Sequence, residues 1–344
     1  GAVEAVASSG GQIMPPLMGA GAFVMVELTG TPYKSLMGSA LLPAILYFFA
    51  VWVGINAYAT IFQLRKLDAD GQPNFYEIFV TSLFFLIPFC TLLSGIFLFG
   101  LTAQYSACQA ILVAASLLLV NRNWKMDITA ISGRFAIAFI SSAKQIAMIG
   151  SIIFCASLII GVLSLTGLGV KLTSLIMSAS GDLIWPSLLL TAFACLLLGM
   201  EVPTTAAYVI CVSVAGPALI ELGLRPLMAH LFVFWYALLS TITPPVCGAV
   251  FIASGMIKEN WLQVSGKAMK LGLGLYIIPM GMIANPSLIN LMETPFLAIN
   301  AFLKVALGLY LLSTSLISKS ALFVRLVLFT LGLIVIFFDH LAIF

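Results

Sequence analysis

The chain has 344 residues, of which 62% are hydrophobic and only 8% are charged, and its formal net charge is +3. Soluble globular domains carry roughly 25% charged residues. This composition and a mean hydropathy of +1.17 therefore exclude an ordinary soluble protein and indicate an integral membrane protein surrounded by membrane lipids. The small net charge gives no indication of a nucleic-acid partner.

Apolar segments long enough to cross a hydrocarbon core of about 30 Å recur along the whole chain. In chain order the predicted crossings are residues 1–28 (interrupted), 36–58, 79–99, 101–120, 146–166, 227–257 (interrupted), 267–285, 297–316 and 322–342. The mixture of charged and apolar residues at 121–145 predicts an amphipathic helix at the membrane interface. We therefore predict an all-α polytopic membrane protein.

Residues 186–217 hold two apolar pieces on either side of "GMEVPTT". Each piece, of about thirteen residues, is too short to span a bilayer alone, so we predict a re-entrant hairpin that enters and leaves on the same side. With a hairpin that does not cross, most Lys and Arg residues of the loops fall on one face, which the positive-inside rule places in the cytoplasm. The hairpin then opens from the outside.

The two interrupted crossings resemble each other. Residues 13–20 read "IMPPLMGA" and residues 242–249 read "ITPPVCGA", an offset of 229 positions. A proline pair interrupts a helix because proline lacks the backbone N–H and clashes with the carbonyl four residues earlier. By the count of crossings the two copies have opposite topology. Interrupted helices in an inverted repeat are typical of the midplane binding sites of secondary transporters; a chance match between two apolar segments is the alternative.

Small polar residues lie just before or beside both interruptions. Their hydroxyls, and the carbonyls that the prolines free, are the hard oxygen ligands that a Na+ ion needs. The alternative is that they bond across a helix interface or to their own backbone. The residues predicted to bind the ion are Ser8, Ser9, Gly10, Gly11, Pro15, Ser240, Thr241, Thr243 and Pro244. No transition-metal site and no other cofactor is predicted.

The tip of the hairpin is the predicted substrate site. A glycine permits a sharp turn there, and free N–H groups at the start of the second piece favour an anionic substrate group. The predicted substrate-binding residues are Gly199, Glu201, Pro203, Thr204 and Thr205. An acidic residue inside the membrane is costly unless it pairs, binds a cation or takes a proton, so Glu201 is also a candidate contributor to a cation site or a candidate proton carrier. Its alternative role is that of a solvated turn residue.

Three stretches, "GAVEAVASSGGQIMPPLMGAGAF", "GMEVPTTAAYVI" and "STITPPVCGAVFIASGM", together resemble the large membrane subunit of tripartite ATP-independent periplasmic (TRAP) transporters, and most of all the fused permeases of the TAXI branch. The resemblance covers roughly residues 1–290. It implies an elevator-type secondary transporter in the bacterial inner membrane. Such a permease takes a small organic carboxylate from an extracytoplasmic binding protein of the TAXI type, usually by Na+ symport.

The resemblance also implies a division of the chain. Residues 1–28 and 186–257 are expected to form the transport domain, residues 29–185 the scaffold and connecting helices, and residues 258–344 the C-terminal transmembrane helices, whose last two lie beyond the clearest similarity. Family members have a hairpin before the first interrupted helix. We therefore expect this chain to be the C-terminal part of a permease whose N-terminal part is missing.

Other function classes have less support. Six cysteines stand singly in apolar stretches without metal-ligand spacing, and no Walker A sequence or hydrolase motif occurs, so no enzyme activity is expected. An ion channel tolerates interrupted helices, but the sequence contains no repeated filter that would form rings along a pore. A proton-coupled carboxylate symporter of the same fold remains the nearer alternative.

Overall fold

The fold, described from a computed structural model, consists of α-helices. The structure describes the chain except for residues 17, 64–74, 122, 123, 125, 127, 168–170, 172, 173, 176, 177, 180–182, 200–202, 246 and 342–344. In chain order the helices are α1 (Ala2–Gly10), α2 (Gly19–Thr29), α3 (Tyr33–Ile61), α4 (Phe75–Phe97), α5 (Ala103–Leu117), α6 (Ile128–Thr166), α7 (Ile184–Leu198), α8 (Thr204–Glu221), α9 (Pro226–Leu239), α10 (Gly248–Ile257), α11 (Trp261–Leu271), α12 (Leu273–Ala284), a short 3₁₀ helix (Pro286–Ile289), α13 (Pro295–Ile317) and α14 (Leu322–Leu341).

Within the described residues, five helical segments are long and apolar enough to cross a membrane. They are Tyr33–Ile61, Tyr76–Phe97, Thr204–Glu221, Trp261–Ala284 and Pro295–Ile317. Shorter apolar helices lie on both sides of each predicted interruption. These features confirm the prediction of an all-α polytopic membrane protein.

Two helices differ in extent from the sequence prediction. The predicted interfacial helix near 121–145 and the predicted crossing 146–166 belong largely to one continuous helix, α6. Helix α8, the second arm of the hairpin, has 18 residues because the chain stays helical through Pro217 as far as Glu221. The argument that this arm is too short to span was therefore wrong, and whether the hairpin is re-entrant stays a prediction.

The predicted crossing 267–285 is made of two helices, α11 and α12, which meet at Gly272. A Cβ atom at Gly272 would lie 2.5 Å from Cδ1 of Ile242 and 3.1 Å from the carbonyl oxygen of Ala268. A side chain at this position would displace Ile242, because the second interrupted crossing packs directly against this junction. The sequence predicts such close helix packing for the small-residue run 266–276, without a ligand.

The chain divides into two compact units, one formed by Gly1–Leu64 with Ile152–Phe344 and the other by Arg65–Ser151. In the first unit, α9 is central, since every residue from Met228 to Leu239 is buried. It contacts α2, α7, α8 and α12, while α1 contacts α3, α10 and α11. The segments assigned to a transport domain, 1–28 and 186–257, therefore contact each other; their movement as one body stays a prediction.

The second unit is built on the pair α4 and α5. The two helices approach closely where a Cβ atom at Gly95 would lie 2.6 Å from Oγ of Ser106. Thr102 caps the start of α5 by accepting a hydrogen bond from the backbone N–H of Tyr105. Arg134 of α6 donates from Nη1 to the carbonyl oxygens of Leu118 and Val120, which follow the last residue of α5. A positively charged group such as this guanidinium is stabilised near a helix C-terminus, where the helix dipole is negative.

The last two helices, α13 and α14, form a tight pair that also packs on α3 and α12. Glycines make the crossing close, because a Cβ atom at Gly308 would lie 2.9 Å from the carbonyl oxygen of Gly332 and would also overlap the side chain of Ile336. Asn285 donates from Nδ2 to the carbonyl oxygen of Ile336 at 3.0 Å. Small residues at helix crossings are typical of membrane proteins, in which van der Waals packing drives association.

Replacing Gly308 by Ala is expected to destabilise the protein by about 1–3 kcal/mol, since backbone atoms must move to admit the methyl group. Thermal unfolding of the purified protein in detergent measures this loss. Gly266→Ala is the matched control, because Gly266 is also helical and a Cβ atom there meets no atom within 4 Å. Equal unfolding temperatures for the two variants would contradict the close crossing.

Candidate functional site

Both interruptions are irregular segments between two short helices. The first, residues 11–18, joins α1 to α2, and the second, residues 240–247, joins α9 to α10. Within each segment the peptide bond between the two prolines is cis. We call these segments the first break and the second break. Their sequences contain no charged residue.

The backbone of the two breaks begins in the same way. In the first break the amides of Gln12 and Ile13 donate to the carbonyls of Ser9 and Gly10. In the second break the amides of Thr241 and Ile242 donate to the carbonyls of Leu238 and Leu239. These two pairs of bonds are related by the offset of 229 positions that relates the sequences. The repeat predicted from sequence is therefore present in the local backbone structure.

The two breaks meet through a pair of hydroxyls. Oγ of Ser9 lies 3.1 Å from Oγ1 of Thr241, although the residues are 232 positions apart. Ser9 also donates to the carbonyl oxygen of Ala5 at 3.0 Å, and Thr241 to that of Leu238 at 2.8 Å. Each hydroxyl has one proton and two lone pairs. The three contacts therefore share two protons, so one of them is without a proton in any arrangement.

The hairpin contacts the second break through Ser240, which is 3% exposed. Its single hydroxyl proton is directed to two carbonyl oxygens, that of Ala237 at 2.7 Å and that of Gly199 at 2.9 Å. Gly199 ends the first arm, and a Cβ atom there would lie 2.9 Å from both Oγ of Ser240 and the carbonyl oxygen of Cys195. Close approach to the second break, and not only a turn, explains this glycine.

The second arm of the hairpin begins as predicted. Pro203 is the N-cap residue of α8, and Thr204 and Thr205 are its first two helical residues, both half-buried. The amides of the first helical turn have no partner within the helix and are available to an anion. Glu201 lies outside the described residues.

The other predicted ion ligands differ in exposure. Ser8 and Gly11 are exposed, whereas Pro15 and Pro244 are half-buried. Gly10 is buried, and a Cβ atom there would lie 2.6 Å from Cε1 of Tyr47. The structure thus brings Ser9 to Thr241 and Ser240 to Gly199, while Ser8 and Gly11 are exposed.

The sequence analysis predicted Thr243 but missed several residues that hold the breaks. Thr243 donates from Oγ1 to the carbonyl oxygen of Leu239 at 2.8 Å and lies 2.7 Å from Oη of Tyr276. Ser265 donates to the carbonyl oxygen of Ile242 at 3.3 Å. Three further tyrosine hydroxyls donate to carbonyl oxygens in or beside the breaks: Tyr33 to Pro16, Tyr47 to Val6 at 2.7 Å, and Tyr236 to Tyr276 at 2.7 Å.

A buried pair also ties the hairpin to the second interrupted helix. Oη of Tyr208, on α8, lies 2.7 Å from Nδ1 of His230, on α9. The two side chains are 0% and 8% exposed. Burying two polar groups costs little when they bond to each other. This contact holds the second arm of the hairpin against the helix that leads into the second break.

The site therefore offers uncharged oxygens at the meeting point of two breaks and a hairpin. Hydroxyl and carbonyl oxygens are hard ligands and suit hard cations such as alkali ions. The N-terminus of α8 offers backbone N–H groups that suit a carboxylate. An ion and an anion can thus be held by neighbouring parts of the same unit.

The comparisons with known proteins agree with this architecture. The profile of the family described as "Tripartite ATP-independent periplasmic transporter, DctM component" matches residues 1–297, a range that includes both breaks and the hairpin. No curated protein matches the sequence. The matched range covers well over half of the chain, and the chain belongs to the family of the DctM component, the permease component of TRAP secondary transporters.

Proposed function

We propose that this permease component takes up a small organic carboxylate by Na+ symport, and that it receives the substrate from an extracytoplasmic binding protein of the TAXI type at the bacterial inner membrane. The observation that carries the proposal is the contact between the hydroxyls of Ser9 and Thr241. A TRAP permease works with a periplasmic substrate-binding protein. The type of that protein, the substrate and the coupling ion are the proposed parts.

The Na+ ion is proposed to bind where the two breaks meet. The hydroxyls of Ser9 and Thr241 have only two protons for three contacts, namely their own contact and those to the carbonyl oxygens of Ala5 and Leu238, so one contact lacks a proton in the absence of a cation. A bound cation interacts with the lone pairs of both oxygens. Ser240 is the next residue in the chain, and its hydroxyl contacts the carbonyl oxygen of Gly199. The ion would therefore fix the second break and, through Ser240, the tip of the hairpin.

The carboxylate is proposed to bind at the hairpin tip. The N-terminus of α8 supplies backbone N–H groups, and the hydroxyls of Thr204 and Thr205 flank them. Because the ion orders the tip through Ser240, substrate would bind tightly only after Na+. The two binding events are then coupled, and by thermodynamic linkage each increases the affinity for the other.

Transport itself is proposed to follow an alternating-access, elevator-type movement. Residues 1–28 and 186–257 hold the ion and the substrate together, since α1 and α2 pack against helices of the second segment. The loaded domain would then move across the scaffold as one body. In inverted-repeat transporters, alternating access is largely a rigid-body movement around a fixed site.

Uptake into proteoliposomes tests the proposal directly. The full-length permease with its binding protein is reconstituted, and uptake of labelled small carboxylates is compared under imposed Na+ and proton gradients. Uptake that requires both Na+ and the binding protein supports the proposal. Uptake under a proton gradient alone would favour the proton-coupled alternative, and flux independent of any gradient or binding protein would refute symport.

Loss of either hydroxyl should weaken Na+ binding. Thr241→Val and Ser9→Ala are each expected to raise the half-saturating Na+ concentration for uptake by about 10-fold, because a ligand oxygen is lost from a buried site. The double variant should lose less than the product of the two single effects, since both hydroxyls serve one ion. Thr330→Val is the control, because Thr330 of α14 is exposed and bonds only to carbonyls of its own helix. An unchanged Na+ dependence in both single variants would remove the ion from this contact.

Replacement of Glu201 separates Na+ coupling from proton coupling. Under the proposal, Glu201→Gln keeps Na+-dependent uptake, because the ion ligands are hydroxyls and carbonyls of the two breaks. Uptake driven by a Na+ gradient at several pH values measures this. A variant that loses coupled uptake while it still exchanges substrate would identify Glu201 as the proton carrier and contradict Na+ symport.

A further inference from the structure

The internal repeat extends beyond the two breaks. Leu46 and Tyr47 of α3 stand 229 positions before Leu275 and Tyr276 of α12, the same offset that relates Pro15 to Pro244. Both tyrosines lie in the helical segment that follows an interrupted crossing. Both direct their hydroxyls back to that crossing, Tyr47 to α1 and Tyr276 to the second break. The repeat thus places a tyrosine behind each break.

The hydroxyl of Tyr276 must act as the donor to Thr243. Thr243 has a single hydroxyl proton, and the carbonyl oxygen of Leu239, 2.8 Å away, can only accept. The contact of 2.7 Å between Oη of Tyr276 and Oγ1 of Thr243 therefore uses the tyrosine proton. With one proton donated and one accepted, Oγ1 of Thr243 keeps one lone pair, whose direction these two bonds fix.

Tyr276 is itself held by the helix that leads into the second break. Tyr236 of α9, which is 4% exposed, donates to the backbone carbonyl oxygen of Tyr276 at 2.7 Å. Two hydrogen bonds therefore hold Tyr276. One joins its backbone carbonyl to α9, before the break, and the other joins its side chain to the break itself. A change in the position of Thr243 relative to α9 would have to break one of these two bonds.

The counterpart in the first repeat acts on the backbone. Tyr47 donates to the carbonyl oxygen of Val6, and its ring packs against Gly10 at the end of α1. The position equivalent to Thr243 is Met14, which offers no hydroxyl. A tyrosine that orients a hydroxyl is therefore a feature of the second break. In the first repeat the tyrosine supports only the backbone of α1.

We infer that Tyr276 is a positioning residue for the cation site: it orients the hydroxyl of Thr243, a sequence-predicted ion ligand two residues after Thr241, as a further oxygen ligand. This inference rests on the proposed Na+ coupling. Tyr276 does not contact the ion in this account, and its effect passes entirely through Thr243. It therefore predicts a specific pattern of non-additivity, which a general packing role would not produce.

The test is a double-mutant cycle on uptake by the full-length permease. Tyr276→Phe keeps the ring and removes the hydroxyl, and Thr243→Val removes the hydroxyl that it orients. Tyr276→Phe is expected to raise the half-saturating Na+ concentration by about 3- to 10-fold, the loss expected for one hydrogen bond. In the Thr243→Val background the same change should have no further effect. Tyr310→Phe, on the exposed face of α13, should leave the Na+ dependence unchanged.

Hydrogen–deuterium exchange of the purified permease gives a second readout that does not depend on transport. Tyr276→Phe should increase exchange in the peptides that contain residues 240–247 and leave residues 11–18 unchanged, whereas Tyr47→Phe should do the reverse. If wild-type uptake does not respond to Na+, the proposed function fails and the ion-orienting role fails with it, while exchange still decides the positioning role. If Na+ drives wild-type uptake but Tyr276→Phe changes neither property, or shifts Na+ affinity equally in the Thr243→Val background, the inference is overturned.

Discussion

Two proline pairs inside apolar helices set the constraint on which the rest of this structure depends. Each pair removes backbone N–H donors and interrupts the ladder of helical hydrogen bonds. In a bilayer, no solvent water satisfies the groups that are left, so the protein must supply partners. The partners found here include the hydroxyl of Ser265 for the carbonyl of Ile242, the hydroxyl of Tyr33 for that of Pro16, and the amide of Ala249 for that of Thr241.

The same constraint gives the site its chemistry. An interrupted helix whose polar groups were all bonded to each other would be a structural kink only. The Ser9 and Thr241 hydroxyls instead have only two protons for three contacts, their own contact and those to two carbonyl oxygens. The breaks thus bring uncharged oxygens together without a buried carboxylate, which would be costly to hold in the membrane. Because Ser240 joins this meeting point to Gly199, the hairpin is linked to the hydroxyls that we propose as ion ligands.

The sequence predicts the elements and the participants well, and the contacts between them less well. Proline pairs and apolar runs are local features, so both interruptions, both hairpin arms and residues such as Ser9, Thr241 and Gly199 could be identified. The partners could not, because Ser9 and Thr241 are 232 positions apart and periodicity says nothing about such pairings. The division of the crossing 267–285 at Gly272 and the extension of α8 through Pro217 were missed because tertiary packing overrides helix propensity. Tyr276 left a signal that could have been used, its repeat relation to Tyr47.

Direct ion binding by the full-length permease without substrate is the most direct test of the central claim that the two breaks meet around a Na+ ion. The unfolding temperature in detergent is measured as Na+ replaces K+ at constant ionic strength, because a ligand that binds only the native state stabilises it in proportion to its saturation. The account predicts that Na+ raises the unfolding temperature and that this rise is lost when the hydroxyls of Ser9 and Thr241 are both removed. Equal stabilisation by K+, or a Na+ effect that persists without the two hydroxyls, would contradict it.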